Sequence, residues 1–206
     1  MFYSLFCRKY DIILDIGCGT GNVTLLLNDA LDVNQIVAID VDTDMIDFAK
    51  RNHSKERITY LAQDFGLDWD QLSPELRAIE GRVSLIFTNH CLHWIPNKEN
   101  VVKNLYRLLS KCGKIYANIY WISDLFLDLS PDQKTIHEKE FMKIPTKEEQ
   151  FDIWFNLFKT NEFTVVSNKF FLKECGFELK FFEESEEILF VIIAKGFTFL
   201  IIIAKG

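Results

Sequence analysis

The sequence predicts an α/β protein in which a mainly parallel sheet is covered by helices on both faces. Three observations predict this class: short apolar runs alternate with helical segments, the first run leads into a glycine-dense turn, and hydrophobic residues make up 49% of the 206 residues. Such alternation is typical of doubly wound sheets, whose ligands bind outside the carboxyl ends of the strands. Function is therefore sought in the residues that follow each strand.

Five strands and four helices are predicted in the first part of the chain. The strands cover residues 11–16, 35–39, 58–62, 83–88 and 114–120. The helices begin near Thr20, Thr43, Ser73 and Asn97. Ser73 gives a clear start signal, because a capping hydroxyl precedes proline at the first helical position.

The later part of the chain is predicted to cover and close this sheet. Phe151, Trp154, Phe155 and Phe158 follow the spacing of one helix face, which fits either packing on the core or an aromatic wall of a substrate pocket. A further helix is expected over 168–175. Residues 177–182 and 188–194 are expected to form a closing antiparallel strand pair.

One domain is expected over 1–206, with a cofactor-binding core (11–121), a substrate-covering insert (122–168) and a C-terminal helix and strands (169–206). The C-terminal part contains a near repeat, FVIIAKG at 190–196 and LIIIAKG at 200–206. Lys195 and Gly196 interrupt this apolar stretch, which is too short for a membrane span. Two copies of one edge strand and a gene-model artefact are both open explanations.

The composition of the chain indicates which partners to expect and in which cellular compartment the protein works. The net charge is −7 and basic residues form no run, which argues against nucleic acid as a standing partner. The five cysteines are scattered without metal-ligand spacing, so a reduced, cytoplasmic chain without zinc is expected. The first nine residues do not have the pattern of a signal peptide.

The first strand leads into a turn with the spacing Gly17-x-Gly19-x-Gly21. Glycine allows backbone to approach a ligand closely, so the turn is predicted to cradle a cofactor. The dinucleotide fingerprint has its third glycine where Asn22 stands here, which disfavours a nicotinamide-dependent oxidoreductase. Asp15 precedes the turn, and its carboxylate suits a cationic amine better than a pyrophosphate.

Two more acidic residues follow strands. Asp40 ends the second strand 23 residues after Gly17, where a carboxylate suits a ribose diol or, alternatively, caps the next helix. Asp64 and Phe65 follow the third strand.

The fourth strand runs into Thr88-Asn89-His90-Cys91-Leu92-His93-Trp94. Together with the Asp15-to-Gly21 pattern, this sequence resembles class I S-adenosylmethionine-dependent methyltransferases. The Leu-His-Trp triplet is similar to the small-molecule carboxyl methyltransferases of the trans-aconitate, malonyl-carrier and, more closely, insect juvenile hormone acid types. The resemblance covers about residues 12–120.

That resemblance implies a Rossmann-like, seven-stranded methyltransferase sheet, S-adenosyl-L-methionine as cofactor and a small, apolar carboxylic acid as substrate, such as juvenile hormone acid or a farnesoic acid-like compound. It implies that Asp64 accepts from the adenine amino group and that Phe65 packs on the ring. Trp94 would lie near the transferred methyl and hold the substrate carboxylate, with His93 beside it. The implied cofactor-binding set is Asp15, Gly17, Gly19, Gly21, Asp40, Val41, Asp64, Phe65 and Asn89.

The expected chemistry is in-line displacement at the methyl carbon. A carboxylate is already ionised near neutral pH, so alignment and exclusion of water suffice and no base is needed. A hydroxyl or amine acceptor would need one, and His93 or His90 would be the candidate.

The chain departs from the family at several points. Only ten residues precede the first strand, without the helices and the glutamine that the family carries there, and residues 111–114 replace a Pro-Gly-Gly turn. Slow or absent turnover is the expectation from these departures. The alternatives are a methyltransferase-like protein that binds S-adenosylmethionine or a partner without turnover, and a nucleic-acid or protein methyltransferase. The latter is disfavoured by the charge and by the lack of an Asn-Pro-Pro-Tyr-type motif.

Overall fold

The structure is a computed structural model. It describes residues 9–120, 128–140, 145–161, 163–171, 179–182, 189–192 and 198–205. The predicted alternation of strands and helices is confirmed within the first of these ranges.

Five neighbouring strands of the main sheet are parallel. They are β1 (Lys9–Ile16), β2 (Asp32–Asp40), β3 (Ile58–Ala62), β4 (Val83–Asn89) and β5 (Leu109–Tyr120). Their spatial order is β3-β2-β1-β4-β5, and each neighbouring pair is parallel. Ile12, Ile13 and Leu14 are almost fully buried, because helices cover both faces of such a sheet. The strand order reverses beside β1, which opens a crevice at the carboxyl ends of β1 and β4.

Four helices connect these strands. They are α1 (Asn22–Ala30), α2 (Thr43–Asn52), α3 (Pro74–Arg77) and α4 (Lys98–Leu108). The predicted cap at α3 is confirmed, since the Ser73 hydroxyl accepts a hydrogen bond from the Leu76 N–H. Helix α1 begins two residues later than predicted, because Gly21 takes a left-handed conformation at its N-cap.

Two helices follow the parallel strands, α5 (Pro131–Glu140) and α6 (Lys147–Thr160). A capping box starts α6: the Glu149 N–H donates to the Thr146 hydroxyl, and the Thr146 N–H donates to the Glu149 carboxylate. Trp154 and Phe158 are fully buried in the core that contains β4 and α4. Of the two interpretations of this aromatic face, packing on the core is confirmed.

The remaining described strands are β6 (Phe163–Phe171), β7 (Leu179–Phe182), β8 (Leu189–Ile192) and β9 (Thr198–Lys205). The backbone of β9 runs antiparallel between β5 and β6, while β7 and β8 pair only with each other.

The helix predicted over 168–175 is wrong for 168–171, which belong to β6, and its remainder lies outside the described residues. Pairing with β9, about 30 residues away along the chain, sets this conformation. The first copy of the repeat contributes to β8 and the second to β9.

Among the helices described, none combines the length and the apolar character that crossing a membrane requires.

Candidate functional site

A cavity of about 450 Å³ lies at the carboxyl ends of β1 to β4. Its size falls in the range of small-molecule and cofactor sites. Its lining comes from segments far apart in the sequence: Ile16, Gly17, Ile39, Asp40, Val41, Gln63, Asp64, Phe65, His90, Cys91, Trp94, Ile95 and Pro96.

The glycine-rich turn forms one wall. The N–H groups of Gly17 and Cys18 donate to the Ile39 carbonyl at 2.8 and 3.0 Å, which ties the turn to the end of β2. Gly17 has φ 76°, and a Cβ at this position would lie 2.5 Å from the Cys91 Sγ. Glycine is therefore required at 17 both by backbone conformation and by the approach of the loop after β4.

Asp40 ends β2 with its carboxylate at the cavity. Its Oδ2 accepts from the Gly19 N–H at 2.8 Å, and its Oδ1 accepts from the Asp42 N–H at 3.0 Å. A carboxylate oxygen can accept more than one hydrogen bond, so both oxygens keep capacity for a ligand diol. Asp42 caps α2, so the capping role considered for Asp40 belongs to its neighbour. Val41, between them, is 69% exposed at the rim.

The loop after β3 forms the opposite wall. Asp64 Oδ1 accepts from the Gly66 N–H at 2.8 Å, and the Phe65 side chain is 2% exposed. Gln63 was not predicted; its Nε2 donates to the Asp64 carbonyl at 2.7 Å and its Oε1 accepts from the Ser73 N–H at 2.8 Å. Its position directly after the strand was the available signal.

Asp15 lies behind the turn and does not line the cavity. It is 2% exposed, and the Thr24 hydroxyl donates to its Oδ2 at 2.6 Å. Burial raises the pKa of Asp15 to about 7, the Thr24 hydrogen bond opposes the rise, and the charge of Asp40 adds to it. Asp15 therefore contacts Thr24 in α1 behind the turn rather than the cavity itself.

The loop after β4 supplies the third wall. His90 lines the cavity with φ 54°, a conformation fixed in part by its N–H, which donates to the Asn118 carbonyl at 2.9 Å. Trp94 is 62% exposed at the mouth. His93 is 4% exposed and does not line the cavity; its ring lies 5.0 Å from that of Trp94. Burial lowers the pKa of both histidines, that of His93 to about 4, with His90 and Lys98 adding to the effect there.

Three other predicted cofactor residues lie beside the cavity rather than on it. The Gly19 N–H holds Asp40, and Gly21 caps α1 where a Cβ would lie 2.8 Å from the Tyr60 hydroxyl oxygen. Asn89 Oδ1 accepts from the Asn118 Nδ2 at 2.8 Å, which links the ends of β4 and β5. These residues shape the cradle.

The thiol of Cys91 is a neutral part of the wall. Burial first, then the charges of Asp40 and Asp15, raise its pKa to about 12, so it is not a thiolate nucleophile near neutral pH. The described part of the chain has no group of three or more His, Cys, Asp or Glu residues that could hold a metal ion.

Comparison with known proteins identifies the domain. Residues 13–113, which include all these walls, match the family model described as a methyltransferase domain. Residues 13–113 form a methyltransferase domain of the class I, S-adenosylmethionine-dependent family. The structure has two features of this family fold. They are the five parallel strands and the glycine-rich turn at the point where the strand order reverses.

Two curated relatives cover a similar region. The chain is 32% identical over 115 residues to malonyl-[acyl-carrier protein] O-methyltransferase of Priestia megaterium, covering 56% of this chain and 39% of that protein. It is 31% identical over 106 residues to juvenile hormone acid O-methyltransferase of Drosophila melanogaster, covering 50% of this chain and 34% of that protein. The chain therefore aligns with well under half of each relative.

Solved structures share the fold at low identity. A SAM-dependent methyltransferase from Anabaena variabilis superposes with a TM-score of 0.61 at 18% identity, covering 95% of this chain and 77% of that one. Geranyl diphosphate C-methyltransferase from Streptomyces coelicolor, in complex with Mg²⁺, geranyl diphosphate and S-adenosyl-L-homocysteine, gives a TM-score of 0.59 at 12% identity, covering 82% and 61%.

Proposed function

We propose that this methyltransferase transfers the methyl group of S-adenosylmethionine to a carboxylate oxygen of a small acid, giving a methyl ester and S-adenosylhomocysteine. The observation that carries the proposal is the convergence of Asp40, Asp64 and Trp94 on one 450 Å³ cavity. The names of the curated relatives, both O-methyltransferases, support the reaction class.

The cofactor fits the chemistry of this cavity. The fixed carboxylate of Asp40 suits the ribose diol, while Asp64 and the buried ring of Phe65 suit adenine. The carboxylates of Asp40 and Asp64 line the cavity and suit a ligand that carries a sulfonium and an ammonium group. The cofactor supplies the methyl group as an electrophile on sulfur.

The protein contributes alignment rather than proton transfer. The carboxylate oxygen would form the new bond to carbon while the carbon–sulfur bond breaks, and an ionised acid needs no base. The Trp94 indole N–H is a donor at the mouth of the cavity and suits an anionic acceptor. His93 supports the Trp94 ring.

We propose an apolar acid, similar to juvenile hormone acid or farnesoic acid, as the acceptor class to test first. Exposed Trp94 and Val41 at the cavity rim, with Ile95 and Pro96, support an apolar entrance. A chain that binds the cofactor without turnover is the alternative, and the relatives, which are named as enzymes, do not favour it.

We also propose that the domain completes the seven-stranded sheet typical of this family, with one domain over the whole chain. The antiparallel neighbours of β5, namely β9 and then β6, support this arrangement.

The test combines cofactor binding with turnover. Calorimetric titration with S-adenosylhomocysteine should give micromolar binding, and labelled methyl from S-adenosylmethionine should appear in the ester of at least one acid from a panel of short, long and terpenoid acids. Cofactor binding without methyl transfer to any acid would support the alternative, and no binding by the folded chain would overturn both.

A further inference from the structure

A second groove, of about 500 Å³, borders the cofactor cavity. It lies between the start of α4 and the exposed side of α6, and it is lined by Pro96, Asn97, Lys98, Glu99, Ile153 and Leu157. Pro96 lines both the groove and the cavity. The groove and the cavity therefore adjoin at Pro96.

Lys98 brings a positive charge to the lining of this groove. Its Nζ donates to the Ile95 carbonyl at 3.3 Å and lies 5.7 Å from the centroid of the Trp154 ring. Because Ile95 lines the cofactor cavity, this hydrogen bond holds the ammonium close to the cavity wall. The charge of Lys98 also contributes to the lowered pKa of His93, whose ring packs on that of Trp94.

The ammonium is half-buried without an acidic partner among the described residues. Glu99 lines the same groove, yet within the described chain no ion pair joins it to Lys98. Burial lowers the pKa of Lys98, as expected for a charge that has lost part of its water. An ammonium has three donors, and the Ile95 carbonyl uses one of them. An anion placed in the groove would accept from the others and offset the loss of hydration.

We propose that the groove is an anion subsite for the methyl acceptor, which carries a second anionic group that binds Lys98 while its first carboxylate reacts beside Trp94. The carbon chain between the two groups would pack along Pro96, Ile153 and Leu157. This inference rests on the proposed function. Its acceptor keeps the reacting carboxylate and the apolar carbon chain proposed above, but it carries a second anionic group at the other end of that chain. A carboxylate and a phosphate have the chemistry that this subsite requires.

The experiment compares straight-chain dicarboxylic acids with monocarboxylic acids of equal length, and with ω-phosphorylated acids, as methyl acceptors. The variants are Lys98→Met, which keeps the length of the side chain without its charge, and Lys98→Arg, which keeps the charge. Lys103→Met is the matched control, because Lys103 is exposed on the same helix and lines a different groove.

Lys98→Met should raise KM for doubly anionic acids about 10- to 100-fold with kcat nearly unchanged. Lys98→Arg should restore most of the affinity, and monocarboxylic acids should respond to neither variant. Whichever of the dicarboxylic and phosphorylated acids shows the larger KM response identifies the second group.

Equal responses of mono- and dicarboxylic acids to Lys98→Met would overturn the subsite while leaving the proposed function intact. If no acid is methylated, the proposed function fails, and the subsite is tested by titrating a dicarboxylic acid into protein saturated with S-adenosylhomocysteine. Binding that Lys98→Met loses and Lys103→Met keeps would support the subsite, and equal binding by both variants would overturn it.

Discussion

The carboxylate of Asp40 accepts a hydrogen bond from the backbone N–H of Gly19 at 2.8 Å. This contact joins the end of β2 to the glycine-rich turn after β1, 21 residues earlier in the chain. The residue assigned to the ribose is thereby held in position by the loop that forms the adjacent wall. Loss of this side chain should affect the ligand contact and the shape of the turn together.

Replacing Asp40 by alanine should weaken binding of S-adenosylhomocysteine by at least about 10-fold, since charge-assisted hydrogen bonds are lost. Calorimetric titration measures the effect. Asp32→Ala is the matched control, because Asp32 is exposed at the other end of the same strand. Equal affinity of the two variants would show that Asp40 does not contact the ligand.

Gly17→Ala should destabilise the fold and abolish cofactor binding. The positive φ alone costs about 1–2 kcal/mol, and the new methyl would meet the Cys91 Sγ at 2.5 Å. Gly81→Ala separates the two effects, because Gly81 also has positive φ but no atom within 4 Å of an added Cβ. Urea unfolding should therefore show a larger loss at 17 than at 81. Similar losses at both positions would mean that the close approach of Cys91 carries no cost.

Asp15 should make the free energy of unfolding depend on pH. The pKa of Asp15 is about 7 in the folded protein, whereas the ordinary value for this carboxyl group, which applies to the unfolded chain, is 3.8. Between these two pH values the folded state therefore holds a proton that the unfolded state has released. The contribution of Asp15 to stability is therefore complete below about pH 4, falls by up to about 1.4 kcal/mol per pH unit as pH rises from about 4 to 7, and is fully lost above about pH 7.

The measurement is urea unfolding of wild type and Asp15→Asn at pH 5, 6, 7 and 8. Asparagine can still accept the Thr24 hydroxyl but does not titrate, so wild type should lose stability relative to the variant up to about pH 7 and then keep a constant difference. A difference that does not vary with pH would contradict the raised pKa.

Trp94→Phe should lower kcat/KM for a carboxylic acid by about 10-fold while leaving binding of S-adenosylhomocysteine and stability almost unchanged. Phenylalanine keeps the ring beside His93 but loses the indole donor proposed to hold the acceptor. Because Trp94 is 62% exposed, its replacement removes little buried surface. Steady-state kinetics measure kcat/KM for the two proteins. If Trp94→Phe has the same kcat/KM as wild type, the indole N–H does not hold the acceptor.

The local pattern of the sequence was sufficient to predict the first five strands and the helices between them. Parallel strands buried on both faces are continuous apolar runs, and caps such as Ser73 and turns such as 17–21 are local signals. The same logic placed Gly17, Asp40, Asp64 and Trp94 at one end of the sheet, and all four line the cavity. Residues 168–171 were mispredicted as helix because their strand depends on a distant partner, β9.

The sequence by itself determined the α/β class, the strand ends and the cradle that the glycine-rich turn builds. Only the tertiary structure decided which side chains reach the cavity. His90 lines it and His93 does not, because backbone dihedrals such as φ 54° at His90 direct the side chains of the loop. The Lys98 ammonium lies over the ring of Trp154, which is 56 residues later in the chain, so local sequence could not predict this contact. Periodicity records which face of an element is buried, whereas the position of one element against another is set by packing between distant segments.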